Sequence, residues 1–348
     1  MEYLPAELQL KILQNLNYIN DLFNFKRTCH HFCDFINKYE GSLARKSFAE
    51  LSFASTFPYF WPSDFVFSPP RLRLLTYNID ENYLPLTKQL HEKWQCVLDQ
   101  QLSIVLIEEP DYSIVERRNK FILRFDYGAS KESFLPLPFI PQNFGQLRIV
   151  YYWLRKIFFC SSFGIIQFDK FLFNQELFKL LFDDDEIAQM KIVCQDACIH
   201  FNNISEIKRN SFKFTLNHLD INLELYINLY GDENIKECKI LLEFFNVYKI
   251  PQLAISSCNG NMSLYNLLIN YIETSTTNFI ISSPIRFVHL YFRRSQLNIK
   301  GILMKESNNE AKFYKITNIN DPTSIFIIRM DIDDDDFINE IYIAKKKI

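Results

Sequence analysis

Residues 4–36 read LPAELQLKILQNLNYINDLFNFKRTCHHFCDFI, and this stretch carries the clearest structural pattern of the 348-residue chain. Pro5 suits the first position of a helix, where its missing N–H costs no hydrogen bond, and Glu7 adds negative charge to the first turn. The pattern predicts a helix that runs to Leu16. Its apolar residues are Leu8, Leu10, Ile12, Leu13 and Leu16. They spread over roughly 200° of the helix, interrupted only by Gln9, which is wider than the stripe that a surface helix buries. We therefore expect a partner outside this domain to cover one side of the helix.

A second helical pattern follows Asn20, a residue type that often caps helices. Its apolar residues recur at intervals of three and four, and they are Leu22, Phe25, Cys29, Phe32, Cys33 and Ile36. This spacing predicts one or two amphipathic helices, with a break near Thr28. The string Cys29-His30-His31-Phe32-Cys33 includes zinc-ligand types, but the histidines lie a quarter turn or more from the cysteines. We interpret it as core cysteines beside solvated histidines.

The order of these features resembles the F-box: a Leu-Pro start, a first helix, a short linker, and second and third helices. The residues that carry the resemblance are Leu4-Pro5-x-Glu7-Leu8-x-x-Lys11-Ile12-Leu13-x-x-Leu16 and Asp21-Leu22-x-x-Phe25-Lys26-Arg27-Thr28-Cys29-x-x-Phe32. Phe32 stands where the family often has Trp, so a large aromatic side chain is kept. The resemblance implies a three-helix F-box at residues 1–48.

The resemblance also implies a function. F-box proteins dock onto the adaptor Skp1, and thereby onto a cullin-RING ubiquitin ligase, while the rest of the chain captures a substrate. The chain would then be a non-catalytic substrate receptor of an SCF-type ligase. The residues that the resemblance places against Skp1 are Leu4, Pro5, Leu8, Ile12, Leu13, Leu16, Leu22 and Phe25. The alternatives are an ordinary small helical subdomain, an F-box scaffold without a degradation role, and an enzyme with an incidental helical lobe.

Composition argues against several other functions. The chain has 38 Lys+Arg, 41 Asp+Glu and only 7 Gly. The two closest glycines, Gly128 and Gly145, are too far apart for a phosphate-binding loop or a G-x-S-x-G nucleophile elbow. Basic runs are confined to the C-terminal tail, so nucleic acid binding has little support. The N-terminus does not resemble a secretory signal, and no apolar stretch approaches the ~18 residues of a membrane span. We expect a cytoplasmic or nuclear protein without cofactor or metal.

The remainder of the chain divides into two predicted parts. Residues 49–146 form a proline-punctuated connecting region, with strands predicted at 72–77, 103–107 and 121–127. Residues 147–348 alternate strands and helices and predict an α/β substrate-recognition domain with a substantially parallel sheet. The predicted helices are 147–159, 175–182, 233–245 and 262–273. The predicted strands are 165–168, 190–193, 252–256 and 286–292, with a strand pair around 212–229. The stretch 151–178 resembles the C-terminal region of F-box proteins expanded in nematodes.

A leucine-rich-repeat pattern fits Ile250, Leu253, Ile255 and Cys258, and fits loosely from Phe287 and from Ile187. With 48% hydrophobic residues, such a pattern arises readily by chance. The α/β domain is therefore either an irregular leucine-rich-repeat-like fold or a compact α+β domain.

Two further sets of residues contain side chains that could form functional sites. Cys194, Cys198 and His200 share one face if 190–201 is a regular strand, but a fourth zinc ligand is missing. The acidic runs 183–186 and 331–336 alternate in direction, which indicates solvated loops, with docking of a basic partner as the second interpretation.

Overall fold

The computed structural model describes residues 4–14, 25, 28–39, 46–54, 73–74, 87–107, 120–127, 132–169, 171–201, 206–229, 241, 250–257, 263–274, 284–293, 301–307, 311–333 and 337–346. The helices within these ranges are α1 (Ala6–Gln14), α2 (His30–Lys38), α3 (Lys88–Asp99), α4 (Phe144–Cys160), α5 (Gln175–Leu181), α6 (Asp184–Gln189), α7 (Glu206–Asn217) and α8 (Ser263–Thr274). The strands are β1 (Lys46–Ala54), β2 (Arg73–Leu74), β3 (Val105–Ile107), β4 (Lys120–Asp126), β5 (Glu132–Pro138), β6 (Ser161–Asp169), β7 (Phe171–Phe173), β8 (Ile192–Phe201), β9 (Leu219–Leu229), β10 (Gln252–Ser257), β11 (Ile285–Arg293), β12 (Ile302–Ser307), β13 (Ala311–Thr317), β14 (Ile325–Ile332) and β15 (Phe337–Lys345).

One mixed sheet of 13 strands organises the fold, in the order β12-β13-β14-β15-β11-β10-β9-β8-β6-β1-β4-β5-β2. Its six central strands, from β1 to β11, are parallel and follow one another in chain order. Antiparallel strands flank them, β4 and β5 on one side and β15 to β12 on the other. Strands β3 and β7 form a separate antiparallel pair. The predicted α/β fold is confirmed, and its sheet is mixed, with a parallel centre and largely antiparallel flanks.

The central strands are spaced regularly along the chain. Residues at the same level of five adjacent strands are Ile166, Ala197, Leu225, Leu253 and Ile285. Their separations are 31, 28, 28 and 32 residues, so each step adds one strand and one connection. Right-handed crossovers between neighbouring parallel strands place the connecting helices on one face. Burial agrees, because these five residues share one core cluster with side chains of α4, α5, α7 and α8.

The core between helices and sheet is rich in phenylalanine. Phe53 of β1 stacks on Phe168 of β6, with ring centroids 4.8 Å apart. Phe173 of β7 lies edge-on to both of these rings. Phe158 of α4 contacts Phe173 at 5.3 Å and links this cluster to the helical layer. Helix α4 begins at an Asn143 cap, whose side chain accepts a hydrogen bond from the Gln146 N–H. Capping by Asn satisfies one of the free N–H groups at a helix start.

The alternation of buried and less buried residues along the strands is interrupted at one level of the sheet, and we call this the parity shift. In β1 the buried apolar residues are Phe48, Leu51 and Phe53, and in β6 they include Phe163, Ile166 and Phe168. The first step is three residues rather than the two of a regular strand. Gly164 lies at this level, where a Cβ would approach the carbonyl oxygen of Ala49 to 2.7 Å.

The same shift corrects the prediction that Cys194, Cys198 and His200 share one face. Buried Cys194 is followed by buried Ala197, and a register irregularity lies between Cys194 and Asp196. Cys194 therefore faces the helices, whereas Cys198 and His200 lie on the opposite face.

Several predicted elements have the right type and nearly the right bounds. Helices α4, α5 and α8 and strands β6, β10 and β11 match predicted elements, and β8 is longer than predicted. The prediction of a strand pair around 212–229 was wrong in its first half, because α7 occupies Glu206–Asn217. Helix α3 was not predicted. The predicted helix 233–245 lies, apart from Leu241, outside the described residues.

At two of its three starting positions, the leucine-rich-repeat pattern does not place equivalent residues at the same level of the sheet. Leu253 lies opposite Ile285, not at the level of Leu290, and the loose match from Ile187 assigns no residue to the level of Ala197. Strands β4 and β5 of the predicted connecting region lie in the same sheet as the predicted recognition domain.

We expect the Gly164→Ala substitution to destabilise the fold. The added methyl group would press against backbone of β1, which cannot rotate away, and such overpacking costs about 1–3 kcal/mol. Chemical denaturation would measure the free energy of unfolding. Gly145→Ala is the matched control, since its new Cβ meets a side-chain atom of Asn143 at 3.2 Å rather than backbone. Equal stability of the two variants would contradict the tight approach between β1 and β6.

Acid should weaken the fold through His218. This buried imidazole lies between two carbonyl oxygens, that of Phe214 at 2.7 Å from Nδ1 and that of Ile187 at 3.1 Å from Nε2. Burial lowers the pKa of His218 below its ordinary value of 6.5. The unfolded chain therefore takes up the proton first, and stability falls as pH drops below about 6.5. Denaturation at pH 7.5 and 5.5 would measure the loss, and His218→Gln should reduce it. A parent protein that is more stable at pH 5.5 would contradict this assignment.

Candidate functional site

An apolar strip runs along helix α1. We define it as Leu4, Pro5, Leu8 and Ile12, all of which are exposed to solvent. Leu8 is 47% exposed and Ile12 is 42% exposed, although both are large hydrophobic residues. Leu8 and Ile12 are four residues apart on α1 and so share one side of the helix, and Leu4 and Pro5 directly precede it. The strip is thus an apolar surface that α1 and α2 leave exposed.

A small core lies beneath the strip. Its fully buried members are Leu13, Phe32, Phe35 and Ile36. Half-buried side chains pack around them, namely Leu10, Phe25, Cys29 and Tyr39. Phe25 contacts Phe32 edge-on with ring centroids 5.4 Å apart. This core fixes α1 against α2 and so determines which side of α1 faces outwards.

Gln9 joins the two helices. It is 3% exposed, and its Nε2 donates to the Leu4 carbonyl at 2.7 Å. Its Oε1 lies 2.9 Å from Nε2 of His31 in α2. The polar residue that interrupts the apolar arc of the sequence therefore ties the start of α1 to α2. Sequence periodicity gave no sign of this role.

The second surface is the face of the parallel sheet opposite the helices, which we call the open face. Its side chains are mostly polar, and those on the six parallel strands and β15 include Glu50, Gln167, Asp169, Asp196, Cys198, His200, Glu224, Tyr226, Asn228, Arg286, Glu340 and Tyr342. Asp169 is exposed and the others in this set are half-buried, whereas Ser52, Ala254 and Ser256 on the same face are buried. A parallel sheet with such a face departs from the usual arrangement, in which both faces are covered.

Arg286 organises one side of the open face. Its guanidinium donates to Glu340 at 2.9 and 3.3 Å and to Glu224 at 3.1 Å. Gln252 donates to the same Oε1 of Glu224 at 2.7 Å. These contacts join β9, β10, β11 and β15, and they hold the side chains of this region in fixed positions.

Cys198 and His200 form a close pair near the middle of the open face, with Sγ 3.1 Å from Nε2. A cysteine nucleophile needs a thiolate. Here burial, and then the charges of Asp169 and Glu50, raise the pKa of Cys198 to about 12. Burial also lowers the pKa of His200. The thiol is therefore protonated at neutral pH, and the pair does not favour nucleophilic chemistry.

Two segments of the chain match known protein families. Residues 1–40 match the F-box domain family. The chain contains an F-box domain. Residues 75–230 match a domain of unknown function, DUF8381, and this match extends from upstream of α3 to the end of β9. No curated protein and no solved structure matches the chain.

The F-box residues that we expected to face Skp1 fall into three groups. Leu4, Pro5, Leu8 and Ile12 form the exposed strip. Leu13 is fully buried and Phe25 is half-buried in the small core, so in this structure they support the strip rather than extend it. Leu16 and Leu22 lie outside the described residues, as does the second predicted helix apart from Phe25. The predicted break near Thr28 is confirmed, since a turn there precedes α2 and its hydroxyl donates to the Phe25 carbonyl.

The cysteine and histidine string of the F-box lies at the start of α2. His30 and His31 are exposed, and Cys29 is half-buried against the small core. Throughout the described ranges, no three His, Cys, Asp or Glu side chains are grouped closely enough to hold a metal ion. Within the same ranges, no helix has both the length and the apolar character required to cross a bilayer.

The first acidic run, residues 183–186, was predicted to be a solvated loop, but most of it is helical. Asp184, Asp185 and Glu186 occupy the first turn of α6, where negative charge is favourable. Glu186 accepts a hydrogen bond from the Tyr151 hydroxyl at 3.2 Å, and Asp183 pairs with Lys93 at the same distance. In the second run, Asp331 belongs to β14, while residues 334–336 are not among the described ones.

Two leucines on α1 provide a direct test of this division. Leu13→Ala removes a fully buried side chain and should destabilise the F-box by about 2–5 kcal/mol. Leu8→Ala truncates an exposed side chain and should change its stability by no more than about 0.5 kcal/mol. Hydrogen exchange of the α1 and α2 amides would measure both effects locally. Comparable protection in the two variants would contradict the assignment of Leu13 to the core.

Proposed function

We propose that this chain is a non-catalytic substrate receptor of an SCF-type E3 ubiquitin ligase. In this role the F-box binds a Skp1-like adaptor, the adaptor joins it to a cullin-RING ligase, and the remaining domain holds a protein substrate. The observation that carries the proposal is the apolar strip of the F-box, with Leu8 and Ile12 each more than 40% exposed. Such a role places the protein in the cytoplasm or the nucleus.

The strip offers exposed apolar surface that a bound adaptor would bury. Removing apolar surface from water is worth about 25 cal/mol per Å², and protein interfaces depend on a few apolar anchors that become fully buried. Leu4, Pro5, Leu8 and Ile12 provide such anchors at the start of and along a helix that its own small core already fixes. Leu13 and Phe25 contribute by holding that helix, and Leu16 and Leu22 remain proposed adaptor contacts.

The α/β domain is the proposed substrate-binding part. We propose that its strand and helix units form an irregular leucine-rich-repeat-like array, supported by their spacing of 28 to 32 residues and by strands that neighbour one another in chain order. The open face then offers polar side chains at fixed positions on rigid strands. We also retain the division into an F-box at 1–48, a connecting region at 49–146 and a recognition domain at 147–348 as a proposal.

The alternatives are less well supported. An enzyme would need converging reactive groups, yet the Cys198 thiol is held protonated. A cavity of about 170 Å³ is lined by Lys191, Asn217, Asp220 and neighbouring apolar residues, and it contains neither Cys198 nor His200. A scaffold without a degradation role shares the F-box contacts, and the stability of a captured substrate after depletion of this protein would separate it from a ligase receptor.

The adaptor contact can be tested with exposed residues alone. The double substitution Leu8→Ala and Ile12→Ala should weaken binding to a purified Skp1-like adaptor by at least about tenfold, because hot-spot truncations cost about 2 kcal/mol or more. Isothermal titration or co-purification would measure the loss. Glu7→Gln is the matched control, because it changes an exposed residue on the same helix but away from the strip. Undiminished adaptor binding by the double variant, with α1 still folded, would refute the proposal.

A further inference from the structure

The open face carries an excess of negative charge over strands β1, β6, β8 and β9. Its carboxylates there are Glu50, Asp169, Asp196 and Glu224. Two arginines lie within reach of this set. Arg124 is 3.8 Å from Glu50, and Arg286 is shared between Glu224 and Glu340. The patch therefore keeps a net negative charge after its own ion pairs are counted.

Two of these carboxylates form no ion pair with any residue that the structure describes. Among the residues that the structure describes, no Lys, Arg or His side chain forms an ion pair with Asp169 or Asp196. Asp196 accepts a backbone hydrogen bond from Glu224 at 3.2 Å, which fixes its position without neutralising it. Asp169 is exposed at the end of β6, opposite His200. Burial lowers the pKa of this histidine, so at neutral pH it adds no positive charge to the patch.

The strand register gives the patch a defined pattern. Glu50, Ile165, Asp196 and Glu224 lie side by side on four adjacent strands. Adjacent strands are about 4.8 Å apart, so the backbones carrying Glu50 and Asp196 are separated by roughly 10 Å. Ile165 lies between them and is 37% exposed. The pattern is thus acidic, apolar, acidic, acidic across the sheet.

We propose that the open face over β1, β6, β8 and β9 binds an extended basic segment of a protein, with Lys or Arg side chains on Asp169 and Asp196 and an apolar residue on Ile165. Asp169 lies opposite His200, which is four residues beyond Asp196 on β8, so the backbones carrying the two aspartates are separated by roughly 14 Å at about 3.3 Å per residue and about 4.8 Å between strands. In an extended chain successive residues advance about 3.4 Å, so basic residues about four positions apart span this distance. Acidic peptides and nucleic acids are disfavoured, because their negative charges would meet like charge on the sheet. The identity of this segment as a ligase substrate rests on the proposed function, whereas its binding to the sheet does not.

Binding of short synthetic peptides tests this inference on the full chain in complex with its adaptor. The probe is an immobilised array of peptides that vary in their Lys, Arg, Glu, Leu and Ser content. We expect retention of peptides that combine Lys or Arg with Leu, and weaker binding as salt is raised. The double substitution Asp169→Asn and Asp196→Asn should lower affinity for a retained peptide about fivefold to twentyfold, given the worth of partly exposed ion pairs.

Asp184→Asn with Asp185→Asn is the control, since it removes the same charge from exposed positions in the first turn of α6. This control should change peptide affinity by less than about twofold, since its charges lie away from the patch. Retention of peptides without basic residues, or equal binding by the two double variants, would overturn the inference. Adaptor binding measured in the same samples distinguishes the two proposals: its loss would count against the ligase role alone, and loss of peptide selectivity with the adaptor bound would count against the acidic patch alone.

Discussion

Burial of one continuous apolar row holds the large sheet together. The row crosses the sheet at one level, and its members are Phe125, Leu51, Ile166, Ala197, Leu225, Leu253, Ile285 and Ile343. Each of these residues is at most 3% exposed. Because the row draws on strands from β1 to β15, segments that are distant in the chain share one hydrophobic core. The positions of neighbouring side chains on the sheet follow from this row, since alternate residues of a strand point to opposite faces except at the parity shift near Gly164.

The row also determines which face of the sheet carries polar side chains. Helices that connect adjacent parallel strands in chain order gather on one face, so the opposite face is left for polar side chains. Charges on that face are placed by backbone that the core already fixes. Arg286 between Glu224 and Glu340 illustrates this, because three strands supply the three side chains of one ion-pair network. A binding surface built on strands in this way keeps its geometry better than one built on loops.

Sequence patterns predicted most of the elements from β6 to β11, but they missed strands β12 to β15, although more and less buried residues alternate along β14. They failed at α7, where Phe212, Phe214 and Leu216 alternate with Lys213, Thr215 and Asn217 as in a strand. The helix instead buries polar residues that find partners inside the core: the Thr215 hydroxyl donates to the Ser211 carbonyl and accepts from the Phe173 N–H. A buried polar residue of this kind interrupts the apolar pattern by which a helix is predicted. One of the hydrogen-bond partners of Thr215, Phe173, is far away in the sequence.

The same limit applies to both surfaces. The apolar strip was predictable because Leu8 and Ile12 are local neighbours on one helix and Leu4 lies just before it, whereas the division between strip and core required the position of α2. Gln9 and the parity shift near Gly164 depend on contacts with residues in other elements, and local periodicity contains no trace of either. The open face could not be located at all until strand order was known.

The spacing of 28 to 32 residues between equivalent positions gives this architecture a simple rule of growth. Each added strand and helix widens the sheet by one strand spacing of about 4.8 Å and leaves the packing of its neighbours intact. A duplication or loss of one unit would therefore lengthen or shorten the open face in discrete steps while the F-box stayed unchanged. Proteins of this construction can vary the extent of the open face without altering the F-box.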